Sequence, residues 1–271
     1  MKGMRYMKIY EILDEENKIN IGVLLYFEKK KEFIIELQSN IDEWMAPLLF
    51  TNLVKNQIYT VPRKMAYMWV KERIIPSGRQ NISEILKNHK MEVYDEMKFL
   101  ELSKGKCSQD SMYIRKIDEL PEYVIERRKR NVVDLVVCDG WKILCFFEND
   151  IVKRVDMTEL SYVDGISKII NNKKLYQSCK VGTGGYSITF DDAIDISSSI
   201  LYEHGDILPI SRNDFICFAR NNLLDTSECC ELLECSRQNV SYMIRHEQLN
   251  PIKEDIKGNL YLKGEIVKNM W

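Results

Sequence analysis

An α+β fold is what this sequence predicts, and three observations predict it. Between Met7 and Leu37, apolar runs of strand length alternate with polar turn clusters. From Val132 to Met157, three more such runs are strung around Cys138-Asp139-Gly140-Trp141 and Asn149-Asp150. From Leu223 to Leu262, the apolar spacing is first helical and then strand-like. The expected architecture is two small α+β domains, residues 1–126 and 127–206, followed by a winged helix-turn-helix domain, residues 207–271.

Composition bounds the problem before any element is placed. A length of 271 residues is enough for two or three modest domains. With 45% apolar and 30% charged residues the chain is globular, not fibrous or disordered. No run of about 18 apolar residues exists to span a bilayer. The N-terminus lacks the apolar core of a secretory signal. A cytoplasmic location and no membrane partner are therefore expected. The eight cysteines lack paired C-x-x-C spacing, so reduced core thiols are expected.

In the first part, Met7 to Leu13, Ile19 to Phe27 and Phe33 to Leu37 read as strands. Their turns are Asp14-Glu15-Glu16-Asn17 and Glu28-Lys29-Lys30-Lys31, the second a solvated hairpin tip. A helix is expected over Asn40 to Asn56, with Ile41, Trp44, Met45 and Leu48 or Leu49 inward. Met65 to Arg73 reads as a strand or a short helix, because its periodicity does not decide. Helices follow over Ser83 to Lys90, with Ile85 and Leu86 inward, and over Glu92 to Ser103. The order of strands, helix, Ile75-Pro76-Ser77-Gly78-Arg79 loop, helix, Tyr94-Asp95-Glu96 and Leu100 is similar to the N-terminal region of HipA-like toxins. That resemblance covers no kinase residues and implies partner binding, not phosphoryl transfer.

Arg127-Arg128-Lys129-Arg130 follows Pro121 and marks a domain junction. It reads either as a solvated helix end or as an auxiliary phosphate contact. Beyond it, Val132 to Val137, Lys142 to Phe147 and Ile151 to Met157 form a β-meander. Ser161 to Asn171 is expected helical, through Val163, Ile166, Ile169 and Ile170. Strands are expected over Tyr176 to Val181 and Tyr186 to Phe190, and Asp195 is expected to cap a helix through Ile196, Ile200 and Leu201. Phe147-Glu148-Asn149-Asp150, Val155-Asp156-Met157 and the late Asp-Ile-Ser segment resemble a small uncharacterised bacterial α/β domain family. That family is found beside helix-turn-helix domains or small toxin-like partners, and the resemblance implies no activity.

The last part carries the sharpest signals. Ser211-Arg212-Asn213-Asp214 is expected to cap a helix containing Phe215, Phe218 and Ala219. Asp225-Thr226-Ser227-Glu228 has capping-box spacing, in which Asp225 accepts a first-turn N–H and Glu228 reaches back. Cys229, Cys230, Leu232 and Leu233 then lie at helical spacing. Ser236 is a second N-cap, before Val240, Met243 and Ile244. Asn250-Pro251 ends that pattern, and Ile252 to Ile256 and Leu260 to Leu262 flank Lys257-Gly258-Asn259 as a hairpin. Leu223 to Val240, and Ser236-Arg237-Gln238-Asn239-Val240 above all, resembles the first two helices of excisionase and MerR-like winged-helix families. Those families carry glycine in the turn and after the second helix. Glu234 and Glu247 stand there instead, at positions that call for positive φ.

Catalytic and metal chemistry is not advertised. His89, His204 and His246 are the three histidines, and none lies in a catalytic motif. Gly182-Thr183-Gly184-Gly185 leads into a strand instead of a helix, so it reads as a hairpin turn and not a phosphate cradle. Asp191, Asp192 and Asp195 read as a strand exit and a helix cap. Cys229, Cys230 and Cys235 lack the fourth ligand that structural zinc takes. No enzyme activity, cofactor or metal is expected.

At about 100° per residue, Val240, Met243 and Ile244 define the buried face of the second helix, and Gln238, Tyr242 and Arg245 point away. Asn239, Ser241 and His246 flank them, and Arg237 stands at the entry. Arginine pairs bidentately with guanine, and glutamine or asparagine with adenine. Lys257 and Tyr261 are the expected contacts of the wing. The expected function is sequence-specific binding of double-stranded DNA in transcription regulation, by a homodimer formed outside the winged domain. One count opposes it: Leu223 to Trp271 holds six basic and eight acidic residues, where a DNA-binding module shows a basic face. The alternative is a protein-interaction component, antitoxin-like or an adaptor, with a degenerate helix-turn-helix and a toxin-like or other protein partner.

Overall fold

The computed structural model describes residues 7–210, 212–256 and 258–271. The expected cap at Ser211 and wing contact at Lys257 lie outside the described residues. The chain is α+β, and it divides into two compact units, Met7–Val124 and Ile125–Trp271. The second unit contains both the part expected over 127–206 and the part expected over 207–271. Among the described residues, no helix is long and apolar enough to cross a membrane.

The first unit is built on an antiparallel sheet. Strands β1 (Met7–Asp14), β2 (Ile19–Phe27) and β3 (Glu32–Leu37) form a meander. A 3-10 turn over Leu48–Phe50 leads into α1 (Thr51–Lys55), β4 (Thr60–Val61) and α2 (Arg63–Lys71). Then come α3 (Ile82–Asn88), α4 (Glu96–Ser103) and β5 (Met112–Ile117). The sheet order is β4-β3-β2-β1-β5. One core joins Ile12, Leu24 and Ile35 of the sheet to Phe50, Trp69 and Leu100 above it. The helix expected over Asn40 to Asn56 is formed only at its end, over Thr51–Lys55 after the 3-10 turn. Pro47 has no N–H to give and obstructs the preceding turn, so helical structure begins only after it. Trp44 and Leu48 are consequently 88% and 94% exposed, whereas Ile41, Phe50 and Val54 are buried.

Helix α5 (Glu122–Arg128) leads into the second unit. There β6 (Val132–Cys138), β7 (Lys142–Phe147) and β8 (Val152–Asp156) form the meander. Next come α6 (Ile166–Ile170), α7 (Lys173–Gln177), β9 (Lys180–Val181), a 3-10 turn over Thr183–Gly185 and β10 (Ser187–Phe190). They are followed by β11 (Ile194–Ser197), α8 (Ser198–His204) and β12 (Asp206–Ile207). Three expectations fail here. The helix expected over Ser161 to Asn171 begins only at Ile166, after Gly165 at φ 87°. Tyr176, expected to open a strand, lies in α7, because the Asn172 side chain accepts from the Leu175 N–H and caps that helix; the strand is only Lys180–Val181. Asp195 is a strand residue, and Ser197 caps the helix that follows. The glycine turn answers to packing: a Cβ at Gly185 would lie 2.3 Å from the Val132 carbonyl oxygen.

The chain ends with α9 (Arg212–Asn222), β13 (Leu223–Leu224), α10 (Thr226–Leu233), α11 (Arg237–Arg245), β14 (Lys253–Ile256), β15 (Gly258–Leu262) and α12 (Lys263–Lys268). Strands β13, β15 and β14 form a small sheet in that order. Its core is Cys229, Val240, Leu249, Tyr261 and Ile266.

The β12-β8-β7-β6 sheet is covered on both faces. Leu135, Ile143, Cys145 and Phe147 face the core made with Ile169, Ile188 and Leu201. On the other face, the Phe146 ring meets Phe218 of α9 at 4.5 Å between centroids. A bulge in β6 between Val132 and Asp134 accompanies the docking of α12. Leu262 offers α12 no side-chain cap, and Asp134 supplies one from β6, accepting the Gly264 N–H at 2.9 Å.

Candidate nucleic-acid interface

Helices α10 and α11 are started by their own caps. The Asp225 carboxylate accepts the N–H groups of Ser227 and Glu228, at 2.7 and 2.9 Å, while Glu228 accepts the Asp225 N–H at 2.7 Å. Four orphan donors open every helix, and this reciprocal box satisfies part of that demand at α10. Ser236 does the same for α11, accepting the Asn239 N–H at 3.3 Å. Glu234 and Glu247 both sit at φ 52°, in the left-handed region where a glycine would be at ease.

Burial then orients α11. Val240 is 1% exposed and packs with Cys229, Leu249 and Tyr261, and Met243 and Ile244 lean on the same core. Arg237, Gln238, Asn239, Ser241, Tyr242, Arg245 and His246 are all exposed. Several are positioned by short-range contacts. Arg237 donates to the Ser227 hydroxyl of α10 at 2.9 Å, and the Arg245 Nε donates to the Ser241 carbonyl at 3.3 Å. The Arg245 bond uses Nε and not the two terminal nitrogens. Tyr242 and His246 stack with centroids 3.8 Å apart. His246 Nδ1 lies 2.8 Å from the Tyr242 carbonyl oxygen. A carbonyl can only accept, so Nδ1 carries the proton in that bond.

Tyr261 is a correction. It is fully buried in the core beneath α11, and its hydroxyl accepts from Asn259 at 3.2 Å, so it is withdrawn as a wing contact. The pairing of β15 with β13 turns Tyr261 inward opposite Leu224.

The basic run lies at the end of α5 and just beyond. Arg127 and Arg128 are half-buried; Lys129 and Arg130 are exposed. Lys129 is paired with Glu126 at 2.6 Å, and the Arg130 guanidinium lies 5.2 Å from the Tyr202 ring centroid. The run is thus engaged within the chain at Lys129 and Arg130. Elsewhere, Asp192 pairs with Lys180 at 2.7 Å, and His204 Nε2 meets the Tyr162 hydroxyl at 2.7 Å. Burial pushes the Cys229 thiol up to about 12 and keeps it a protonated core side chain.

Residues that spacing alone did not single out hold this region in place. Asp134 is 7% exposed and accepts the N–H groups of Leu135 and Gly264, both at 2.9 Å. Burial pushes its carboxyl up to about 6, although both hydrogen bonds and the Lys263 ammonium pull it down. Lys268 of α12 adds an ion pair to Glu148 at 2.9 Å. A charged residue inside an otherwise apolar strand was the available signal at Asp134. Compared with protein-family models, curated proteins and solved structures, the chain matches none of them.

Proposed function

We propose that this chain is a sequence-specific DNA-binding protein and a cytoplasmic transcriptional regulator. Residues 207–271 act as a winged helix-turn-helix, and α11 is its reading helix. The observation that carries this reading is the outward row of Gln238, Tyr242 and Arg245 on a helix whose opposite face is anchored by Val240. That helix is rigidly capped, exposes amide and guanidinium groups suited to adenine and guanine edges, and lies next to the β14–β15 hairpin. Arg237 serves as a phosphate anchor at its entry. Arg127 to Arg130 serve as an auxiliary phosphate contact. The test is selection of genomic fragments with the purified full chain at two salt concentrations. Enriched fragments sharing a half-site, with affinity falling as salt rises, are the expected result.

A second reading is favoured by the acidic surplus from Leu223 to Trp271 and by the exposure of Glu228, Glu231 and Glu234 on α10. In it the same surface binds a protein, and the chain is an antitoxin-like or adaptor component. No enriched fragment at either salt concentration, together with stoichiometric co-purification of a protein through α11, would establish this reading in place of the first.

A further inference from the structure

The segment between β3 and α1 carries two large apolar side chains into water. Trp44 is 88% exposed and Leu48 94% exposed, and Met45 beside Trp44 is 39% exposed. Single exposed apolar residues are ordinary on a protein surface. These stand four positions apart on a backbone that is held in place. The Asp42 carboxylate accepts the N–H groups of Trp44 and Met45, each at 2.9 Å, and the Ala46 N–H donates to the Asp42 carbonyl at 3.1 Å. Ile41, Ala46 and Phe50 are buried in the core of the first unit and anchor the turn. Pro47, at φ −49°, restricts it further. A partner that covers Trp44 and Leu48 therefore meets a preorganised surface and has little new backbone to order.

Charge and area indicate what that partner is. From Ser39 to Thr60, three of 22 residues are charged, Asp42, Glu43 and Lys55, in a chain that is 30% charged. Glu43 and Lys55 form an ion pair with each other at 3.9 Å, and Asp42 serves the turn. Charge depletion around an exposed aromatic is the composition of the buried centre of an interface. A strongly charged partner, DNA included, finds no counter-charge in this segment. A second copy of the segment brings no excess of like charge to repel it. In a two-fold contact the same patch is supplied twice. A tryptophan buries about 200 Å². With Leu48 and Met45, it supplies roughly half of the 800 Å² that each partner gives to a stable interface. We propose that the Trp44–Leu48 segment is the surface through which this chain pairs with a second copy of itself, the same segment of the other copy being its occupant. This names the contact for the homodimer expected from the sequence, and it holds whether or not α11 reads DNA.

The experiment is light scattering on the full chain at roughly tens of micromolar, where weak dimers form. Trp44→Ser and Leu48→Ser are compared with Ile207→Ser, which removes an exposed apolar side chain from the second unit. The parent and Ile207→Ser should give twice the chain mass. Trp44→Ser and Leu48→Ser should weaken the dimer about tenfold or more, as loss of a central anchor does. All three should keep the parent's far-UV circular dichroism, because each replaced side chain is exposed. Amide exchange of the unsubstituted chain gives a map independent of any variant: residues 40–50 should exchange more slowly in concentrated than in dilute samples. A parent that stays monomeric overturns the proposal. So does a dimer of unchanged strength in both Trp44→Ser and Leu48→Ser, or concentration-dependent protection confined to other segments.

Discussion

Gly264 donates its backbone N–H to the carboxylate of Asp134 over 2.9 Å, and the two residues stand 130 positions apart in the chain. The bond caps the last helix with a side chain borrowed from the sheet. It is possible only because Gly264 has no side chain: a Cβ there would lie 2.6 Å from the Val133 carbonyl oxygen. A helix terminus thus approaches a strand more closely than any other residue type permits.

Gly264→Ala should therefore lift α12 off β6. The expected loss is about 1–3 kcal/mol, the range for forcing a methyl group into a packed contact. Urea unfolding of the full chain checks it. Gly78→Ala is the control, since a Cβ at Gly78 meets nothing within 4 Å.

The Asp134 carboxyl gives stability a pH dependence whose sign is fixed. Its folded pKa is raised from 3.8 to about 6 by burial. A raised carboxyl contributes stability that is fully present below its unfolded value and lost as pH climbs through its folded value. Asp134→Asn carries no charge at any pH. Measured against that variant, the parent should lose up to about 3 kcal/mol between roughly pH 4 and pH 7. Urea titrations of both proteins across that window would show a constant gap if the carboxylate were instead comfortably solvated.

On the proposal that α11 reads DNA, Gln238→Ala and Arg245→Ala should relax base preference at one or two operator positions, each at about 1–3 kcal/mol for a bidentate contact. Arg237→Ala should weaken binding to all sequences more evenly. None should unfold the chain, because all three side chains are exposed. Val240→Asp should, since it places an unpaired charge where the side chain is 1% exposed. Fluorescence titration on the selected operator and its point variants, with melts alongside, separates these outcomes. Folded Gln238→Ala and Arg245→Ala proteins with unchanged binding would end the DNA reading of α11.

Neutralising Arg127, Arg128, Lys129 and Arg130 together should weaken binding to every DNA sequence alike and flatten the dependence of affinity on salt. Affinity measured at several salt concentrations decides it. An unchanged slope would leave the run as a helix end whose Lys129 and Arg130 serve contacts within the chain, with Glu126 and Tyr202.

A single helix-turn-helix reads few base pairs, and dimers extend the site to paired half-sites. The chain should be a homodimer through surfaces outside residues 207–271. Light scattering at roughly tens of micromolar, above the range of weak dimers, should give twice the chain mass. A monomer at that concentration would contradict the expectation.

Elements with local causes were legible in the sequence. The capping box at Asp225 and Glu228, the cap at Ser236 and the β6–β8 meander depend on residues close in the chain, and spacing reports them directly. Elements with remote causes were not. Strand β5 is defined by pairing with β1, about a hundred residues earlier, and its own residues Met112 to Ile117 are interrupted by Arg115 and Lys116. Tyr261 sits within Leu260-Tyr261-Leu262, where three consecutive apolar residues hide which parity faces inward; only the pairing register settles it. The helix over Asn40 to Asn56 was cut short for a local reason, since Pro47 was there to be read. At α11 the outward face followed from the apolar spacing, but the capping of α12 by Asp134 could not, because the partner lies 130 residues away in the chain.

The borrowed cap has a further consequence, for portability. The fully buried core beneath α10 and α11 consists of Cys229, Val240, Leu249, Tyr261 and Ile266, too few side chains to hold several short elements comfortably by themselves. The rest of its footing is lent by the neighbouring sheet: Phe146 under Phe218, Glu148 against Lys268, and Asp134 at the head of α12. Cut free near residue 206, the C-terminal segment would keep its sequence signature and lose its foundation. Natural recombination or a cloning scheme that shuffled it as a cassette would have to carry β6 and β7 along. The unit that folds here is the sheet and residues 207–271 together.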